Sequence, residues 1–165
     1  MRLNESVTIS APPKLVWDQI TDASSYLHFM SGITRWEVEG DEHTLELGSR
    51  VRMLIRVGSA EVGGLIEIVE CERERELAWS SVMGVDQRGR WRLRETDDGR
   101  TRVELRYAYG VAGSGIPGWI AELVASPSLG SSLRKSLHQL KRQVEHERLR
   151  AEAARRRAER EPAEI

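Results

Sequence analysis

Apolar and polar residues alternate with a period of two through the first 111 positions, and a helical rhythm replaces that alternation afterwards. Period two puts successive side chains on opposite faces of a strand, whereas recurrence every three or four residues draws one stripe along a helix. Leu3, Val7 and Ile9 share a face of a first strand, which Ala11-Pro12-Pro13 stops. Pro13 suits the first turn of a helix, where no backbone N–H is needed, and Val16, Trp17 and Ile20 give that helix an apolar stripe. Residues 22–31, holding Tyr26, Leu27, Phe29 and Met30, read as a second short helix and loop. Strands are expected near 33–39, 49–57, 62–71, 76–83, 86–96 and 101–111, with Glu39-Gly40-Asp41 as a turn and Gly63-Gly64 as a bulge or bend. The clearest local signal is the hairpin at Asp97-Asp98-Gly99. Before it Trp91 and Leu93 alternate with Arg90, Arg92 and Arg94; after it Val103, Leu105, Tyr107 and Tyr109 alternate with Arg102, Glu104 and Arg106. Such a pair is antiparallel, with one dry and one wet face.

Beyond Val111, Ile120, Leu123 and Val124 form a first helical patch, interrupted at Ser126-Pro127. Leu129, Leu133, Leu137, Leu140 and Val144 then mark one long amphipathic helix. The order of elements predicts an α+β domain: a curved antiparallel sheet of about seven strands gripping a long C-terminal helix, with two short helices after the first strand. Short antiparallel connections exclude a doubly wound parallel sheet. One helix cannot fill the whole concave face of such a sheet, so a cavity is expected between them.

Composition narrows the chemistry. The 165 residues suffice for one domain with a core of its own. Lys and Arg number 25 against 26 Asp and Glu, so there is no electrostatic reason to expect a nucleic-acid or anionic-membrane partner. The run Arg155-Arg156-Arg157 is interleaved with glutamates and reads as part of a solvated tail. A single cysteine, Cys71, rules out an intramolecular disulfide and fits a reducing compartment. No signal peptide opens the sequence and no run reaches the ~18 apolar residues of a membrane span, so a cytoplasmic protein without integral membrane association is expected.

Several motifs invite chemistry and fail on context. Gly113-Ser114-Gly115-Ile116-Pro117-Gly118 spells Gly-x-Gly-x-x-Gly, but the parallel strand and ribose-binding acid of a dinucleotide fold do not follow. It reads as a hinge, and no cofactor is expected. His28, His43, His138 and His146 offer no pair at ligand spacing, so no metal is expected either. Cys71 lacks a neighbouring histidine and reads as a structural thiol, and no Gly-x-Ser-x-Gly elbow occurs. Glu70, Glu72, Glu74 and Glu76 alternate with arginines as a solvated face.

One family resemblance is carried by turns and packing points. The stretch Val7-Thr8-Ile9-Ser10-Ala11-Pro12-Pro13-Lys14-Leu15-Val16-Trp17 resembles the opening of the START-like, or SRPBCC, superfamily in its polyketide cyclase/dehydrase branch. There a first strand runs into an Ala-Pro-x-x-x-Val-Trp helix start. Asp22, Tyr26 and Gly32 are similar to the passage that follows, Gly48 to the glycine opening the third strand, and Gly89-Arg90-Trp91-Arg92-Leu93 to a Gly-x-Trp-x-Leu strand. Asp98 to Val103 resembles the family hairpin. The resemblance covers roughly residues 3–146. It implies a helix-grip fold with a ligand-binding domain over 1–146; composition and the loss of apolar periodicity mark 147–165 as a charged helical or disordered tail. It says little about chemistry, because such folds serve lipid carriers and cyclases alike.

The candidate site is drawn from the inward faces. Five tryptophans stand against one phenylalanine, and an indole N–H needs a partner when buried. Trp17 reads as core, Trp79 and Trp91 as core or pocket lining, and Trp119 as a lid. Met30, Met53 and Ile55 extend the apolar wall, as do Ile120, Leu123 and Val124; Met83 adds flexible surface, and Ser81, Tyr107 and Tyr109 supply hydroxyls. Tyr107 or Tyr109 is the candidate proton donor should the cavity be catalytic, and Glu5 is the one carboxylate with a claim to face inward. That shortage of acid–base groups ranks binding of a small-to-medium hydrophobic molecule (a lipid, polyketide-like or aromatic metabolite) above a cyclase/aromatase or dehydratase, with a protein-interaction module third. Entry is expected between the 112–119 hinge and the 26–32 loop, with Trp119 and Met30 as lips.

Overall fold

A computed structural model describes residues 2–41, 43–109 and 128–160. Its elements are β1 (Arg2–Ile9), α1 (Pro13–Thr21), α2 (Tyr26–Phe29), β2 (Ile33–Val38), β3 (Arg50–Val57), β4 (Ala60–Glu72), β5 (Glu76–Gly84), β6 (Gln87–Glu95), β7 (Thr101–Tyr109) and α3 (Ser128–Arg160). One seven-stranded sheet runs β1-β7-β6-β5-β4-β3-β2, antiparallel throughout. After β1 the chain crosses through α1 and α2 to the far edge, then returns strand by strand until β7 pairs with β1. The architecture is the α+β helix grip expected from the periodicity.

Register sorts the side chains. Trp91 lies opposite Leu105 and Leu93 opposite Val103, all four buried on the concave face. Arg90 lies opposite Arg106 and Arg92 opposite Glu104 on the convex one. Pro13 occupies the first turn of α1 behind the Pro12 cap, and Val16, Trp17 and Ile20 are buried beneath it. Tyr26 stacks on Trp36 with ring centroids 4.0 Å apart, and Phe29 meets Trp91 edge-on at 6.1 Å. These aromatics close one end of the core.

Glycines let the sheet bend at β4. A Cβ on Gly63 would sit 2.0 Å from the Met53 carbonyl oxygen, and one on Gly64 2.0 Å from that of Met83. Gly84 faces the same contact with φ at +98°. Register shifts follow between Leu65 and Ile66 and between Ile68 and Glu70, which add twist to a strand of 13 residues. The outer strands β1 and β2 are the sheet's edges; β2 is irregular between Ile33 and Arg35 and carries the exposed pair Arg35–Glu37 at 3.2 Å.

The α3 stripe of Leu129, Leu133, Leu137, Leu140 and Val144 is buried against the concave face. Polar ties fix it laterally. Lys141 Nζ donates to the Thr8 carbonyl at 2.8 Å, and Glu145 accepts from the Ser10 N–H at 2.8 Å and from Lys141 at 2.6 Å. Gln143 donates to Gln19 on α1, and the Ser31 N–H donates to Ser136 Oγ. From His146 to Arg160 the helix continues with most side chains in solvent.

One charged residue departs from the expected solvated face. Glu76 is largely covered, receiving hydrogen bonds from both Arg90 and Arg92. Burial alone would raise its pKa, but the two guanidiniums outweigh that and hold it below the usual glutamate value. Sequence spacing pairs Glu76 with Glu74; the turn between β4 and β5 separates them.

Two outcomes test this account by urea denaturation. Gly64→Ala is expected to cost about 2–4 kcal/mol through backbone overlap. Gly130→Ala in α3 meets nothing closer than Leu3 Cδ2 at 4.0 Å and is expected to stabilise by up to ~1 kcal/mol. Equal, small effects would remove the steric origin of the bend. Burial would raise the Glu145 pKa, yet Lys141 and the Ser10 N–H lower it further than burial lifts it. Its stabilisation is therefore complete above the ordinary carboxylate pKa of about 4.3 and fades as pH falls through the lower folded value. Glu145→Gln is expected to lose about 1 kcal/mol at pH 7, a figure kept small by partial exposure, and nothing near pH 2. A difference that persists in acid would contradict the ionic tie.

Candidate functional site

Gly89 organises the middle of the concave face. It lies opposite Trp79 on one side and Tyr107 on the other, in a row that ends at Leu3. A Cβ there would fall 1.8 Å from Trp79 Cζ2, so the indole occupies the space the glycine leaves. Trp79 then meets Tyr107 edge-on, ring centroids 5.9 Å apart.

The Tyr107 hydroxyl donates to Gln87 Oε1. Gln87 is only 1% exposed, and among the described residues its Nε2 has no hydrogen-bond partner; neither has the buried Trp79 Nε1. One cluster thus holds two buried N–H donors with nothing to donate to, a costly state unless an acceptor is supplied. The Gln87 backbone N–H donates to Ser81 Oγ at 3.2 Å, and Ser81 donates to Asp86 at 3.3 Å, so the serine hydroxyl is used in closing the β5–β6 turn.

A narrow apolar cleft of about 30 Å³, room for one water, leads to the same tyrosine. Met30, Ile33, Met53, Ile55, Leu129 and Leu133 line it, with Tyr107 at the buried end and Arg56 at the exposed end. Met30, Met53, Ile55 and Tyr107 of the expected cavity therefore meet, and Trp79 touches the last of them. Trp91 instead packs into the aromatic core beside Phe29, fully buried. Its N–H faces the Tyr26 hydroxyl without closing a hydrogen bond of normal geometry. Tyr26 donates to the Ile20 carbonyl at 2.6 Å, and burial pushes its pKa far above the ordinary phenol value. The Tyr109 side chain, Trp119, Ile120, Leu123, Val124 and the 112–119 hinge lie outside the described residues.

Other chemical candidates are placed elsewhere. Glu5 pairs with Arg134 of α3 at 3.0 Å, which occupies the inward carboxylate. Cys71 is exposed on β4, and its pKa is raised by partial desolvation and then by the Glu46 carboxylate, the reverse of what a nucleophile needs. Met83 is 62% exposed on the convex side of the hairpin end. Among the described residues no cluster of His, Cys, Asp and Glu could hold a metal. Gln87 is the residue that sequence reasoning passed over, although it shares parity with Gly89, Trp91 and Leu93 and so had to face inward.

A family model described as polyketide cyclase / dehydrase and lipid transport matches residues 1–145. No curated protein matches the chain. Among solved structures, TTHA0849 from Thermus thermophilus is 21% identical, covering 87% of this chain and 97% of its own, with a TM-score of 0.70. The Zhui aromatase/cyclase from Streptomyces sp. R1128 is 19% identical, covering 88% of this chain and 93% of its own, at 0.69. DR_A0006 from Deinococcus radiodurans is 21% identical over 88% of this chain and 98% of its own, at 0.64. At such identities the likeness is one of fold.

The Tyr107–Gln87 bond has a measurable signature. Tyr107→Phe strands both ends of a buried amide and is expected to cost about 1–3 kcal/mol in thermal or chemical denaturation. Tyr107→Phe combined with Gln87→Leu removes the polar pair and should recover most of that loss. Strict additivity of the two substitutions would show that the groups do not interact.

Proposed function

The chain belongs to the polyketide cyclase/dehydrase and lipid transport family, and on that premise we propose that it binds a small-to-medium hydrophobic molecule between the sheet and α3. The ligand is a lipid, polyketide-like or aromatic metabolite that carries at least one oxygen acceptor. The observation that carries this reading is the pair of buried donors unpartnered among the described residues, Trp79 Nε1 and Gln87 Nε2, on side chains that both contact Tyr107 at the apolar cleft. A ketone or ether oxygen would satisfy them, and an apolar body would suit Met30, Met53 and Ile55. Residues 1–146 form the binding unit in this reading. A cytoplasmic setting is supported by the lone exposed Cys71, and among the described residues no helix is long and apolar enough to cross a membrane.

Binding is favoured over turnover because the described part of the cavity holds no free carboxylate or histidine for general acid–base work. A cyclase or dehydratase is the second reading, supported by a buried phenol at the end of the cleft. There Tyr107, or Tyr109 by its place in the strand, would protonate an enolate oxygen.

Fluorescence titration with a naphthyl ketone and with its deoxygenated hydrocarbon analogue tests the proposal. The ketone is expected to quench tryptophan emission and to bind more tightly than the hydrocarbon. Gln87→Leu should weaken the ketone alone by about 3–10-fold, the worth of one hydrogen bond. Equal binding of both probes to both proteins would overturn the role of the donors, and no binding of either would overturn the site. Loss of turnover on a poly-ketone in Tyr107→Phe, with binding retained, would favour the second reading.

A further inference from the structure

The convex face of the sheet carries a second concavity, of about 810 Å³, that crosses β1, β7, β6, β5 and β4. Its floor is made of small residues, Ala78, Ser80, Gly89 and Ala108. Two rows of the register define it. Arg2 lies opposite Ala108, which lies opposite Arg88; Asn4 lies opposite Arg106, which lies opposite Arg90. With strands ~4.8 Å apart, Arg2 and Arg88 stand roughly 10 Å from each other across an alanine. That spacing leaves room for an acidic side chain to descend between two guanidiniums.

The cations differ in how they are held. Arg90 is engaged by Glu76 and by Glu70 at 2.8 Å, and Arg106 by Glu104 at 2.7 Å. Arg2 and Arg88 are exposed and, among the described residues, have no carboxylate within ion-pair distance. Five arginines line the groove against one acid, Glu70, in a chain whose formal net charge is −1. The groove lining is thus net positive in a near-neutral chain.

The pattern selects among anionic partners. A single-stranded nucleic acid is gripped by exposed aromatic platforms as well as cations, yet the two aromatics that border the groove, Trp79 and Tyr107, are each only 4% exposed. Glu70, Glu76 and Glu104 interrupt the arginines, which disfavours a continuous phosphate chain but tolerates separate carboxylates. Between the charges, Ala108 and the 44%-exposed Val69 offer apolar contact. The groove spans four strand spacings, about 19 Å, the length of about 13 helical residues. Arginine is enriched at protein–protein contacts, and the small floor leaves room for a partner's side chains to descend between the charges.

We propose that this convex groove docks an acidic amphipathic helix of a partner protein, with Arg2 and Arg88 as its free anchoring charges. The anchoring charges Arg2 and Arg88 belong to the convex face and take no part in the ligand site, although Trp79, Gly89 and Tyr107 border both.

The test is fluorescence anisotropy of the full chain with a labelled helical peptide that repeats Glu and Leu along opposite faces. A basic peptide of the same length and a single-stranded oligonucleotide serve as competing probes. The acidic peptide is expected to bind at low salt and to weaken as salt rises. Arg2→Glu and Arg88→Glu should each weaken it at least 5-fold, and together at least 20-fold, with circular dichroism unchanged. Arg94→Glu, an exposed substitution on the same strand outside the groove, should change it less than 2-fold. Absence of peptide binding, an equal loss with Arg94→Glu, or preferential capture of the oligonucleotide would each overturn the proposal.

Discussion

A side chain on Gly63 or Gly64 would have to share space with a carbonyl oxygen of the neighbouring strand, and the curl of the sheet depends on that space being empty. Where β3, β4 and β5 approach so closely, the sheet turns, carrying β2 and β3 round one side of α3 while β1 and β7 close on the other. The helix then needs only one apolar stripe, because the sheet supplies the remaining walls. Leu129, Leu133, Leu137, Leu140 and Val144 are that stripe, and Lys141 and Glu145 hold it on the chain leaving β1. The top of that stripe, Leu129 and Leu133, shares a cleft with Tyr107 of the row Trp79–Gly89–Tyr107, beside which the buried donors are unmatched among the described residues.

The fold was legible because its signals are local and repeated. Alternation marks a strand over many positions, so an error at one residue does not change the reading; β6 and β7 begin and end within two residues of expectation. The crossing from β1 to the opposite edge was also consistent with two short helices filling the gap. Site chemistry is different in kind. Gln87 became important only when register placed Tyr107 two residues along the neighbouring strand, within reach of its amide. Trp91 and Trp79 share strand parity and burial, but only the packing of Phe29 makes one of them core. Glu76 looked like its neighbours in a charge run, and cross-strand arginines distinguish it. Each of these depends on contacts between distant segments, which periodicity does not carry.

The two faces of one sheet present opposite demands. Inside, among the described residues, the unpartnered groups of the site are neutral donors in an apolar setting, suited to an uncharged ligand oxygen. Outside, the unpartnered groups are full positive charges in water, suited to exchangeable ionic contact. Near-zero net charge conceals this division, since acids on both this face and the rest of the surface cancel the arginines in the total while leaving Arg2 and Arg88 without an ion-pair partner among the described residues. Composition alone therefore understates what a strongly alternating sheet can sort onto one side.

An open sheet leaves two rows of backbone groups available to any strand that happens by, and the chain treats its two margins differently. On β1, the Thr8 carbonyl is already taken by Lys141. On β2, protection comes from irregularity at Ile33–Arg35 and from the exposed pair of Arg35 and Glu37. Bulges and charge at a margin are deterrents to edge-to-edge stacking and the fibrillar assembly it seeds. Resistance to that stacking on this side therefore depends on a six-residue strand whose first residue, Ile33, also lines the apolar cleft, so a change there would act on the sheet margin and the cleft at once.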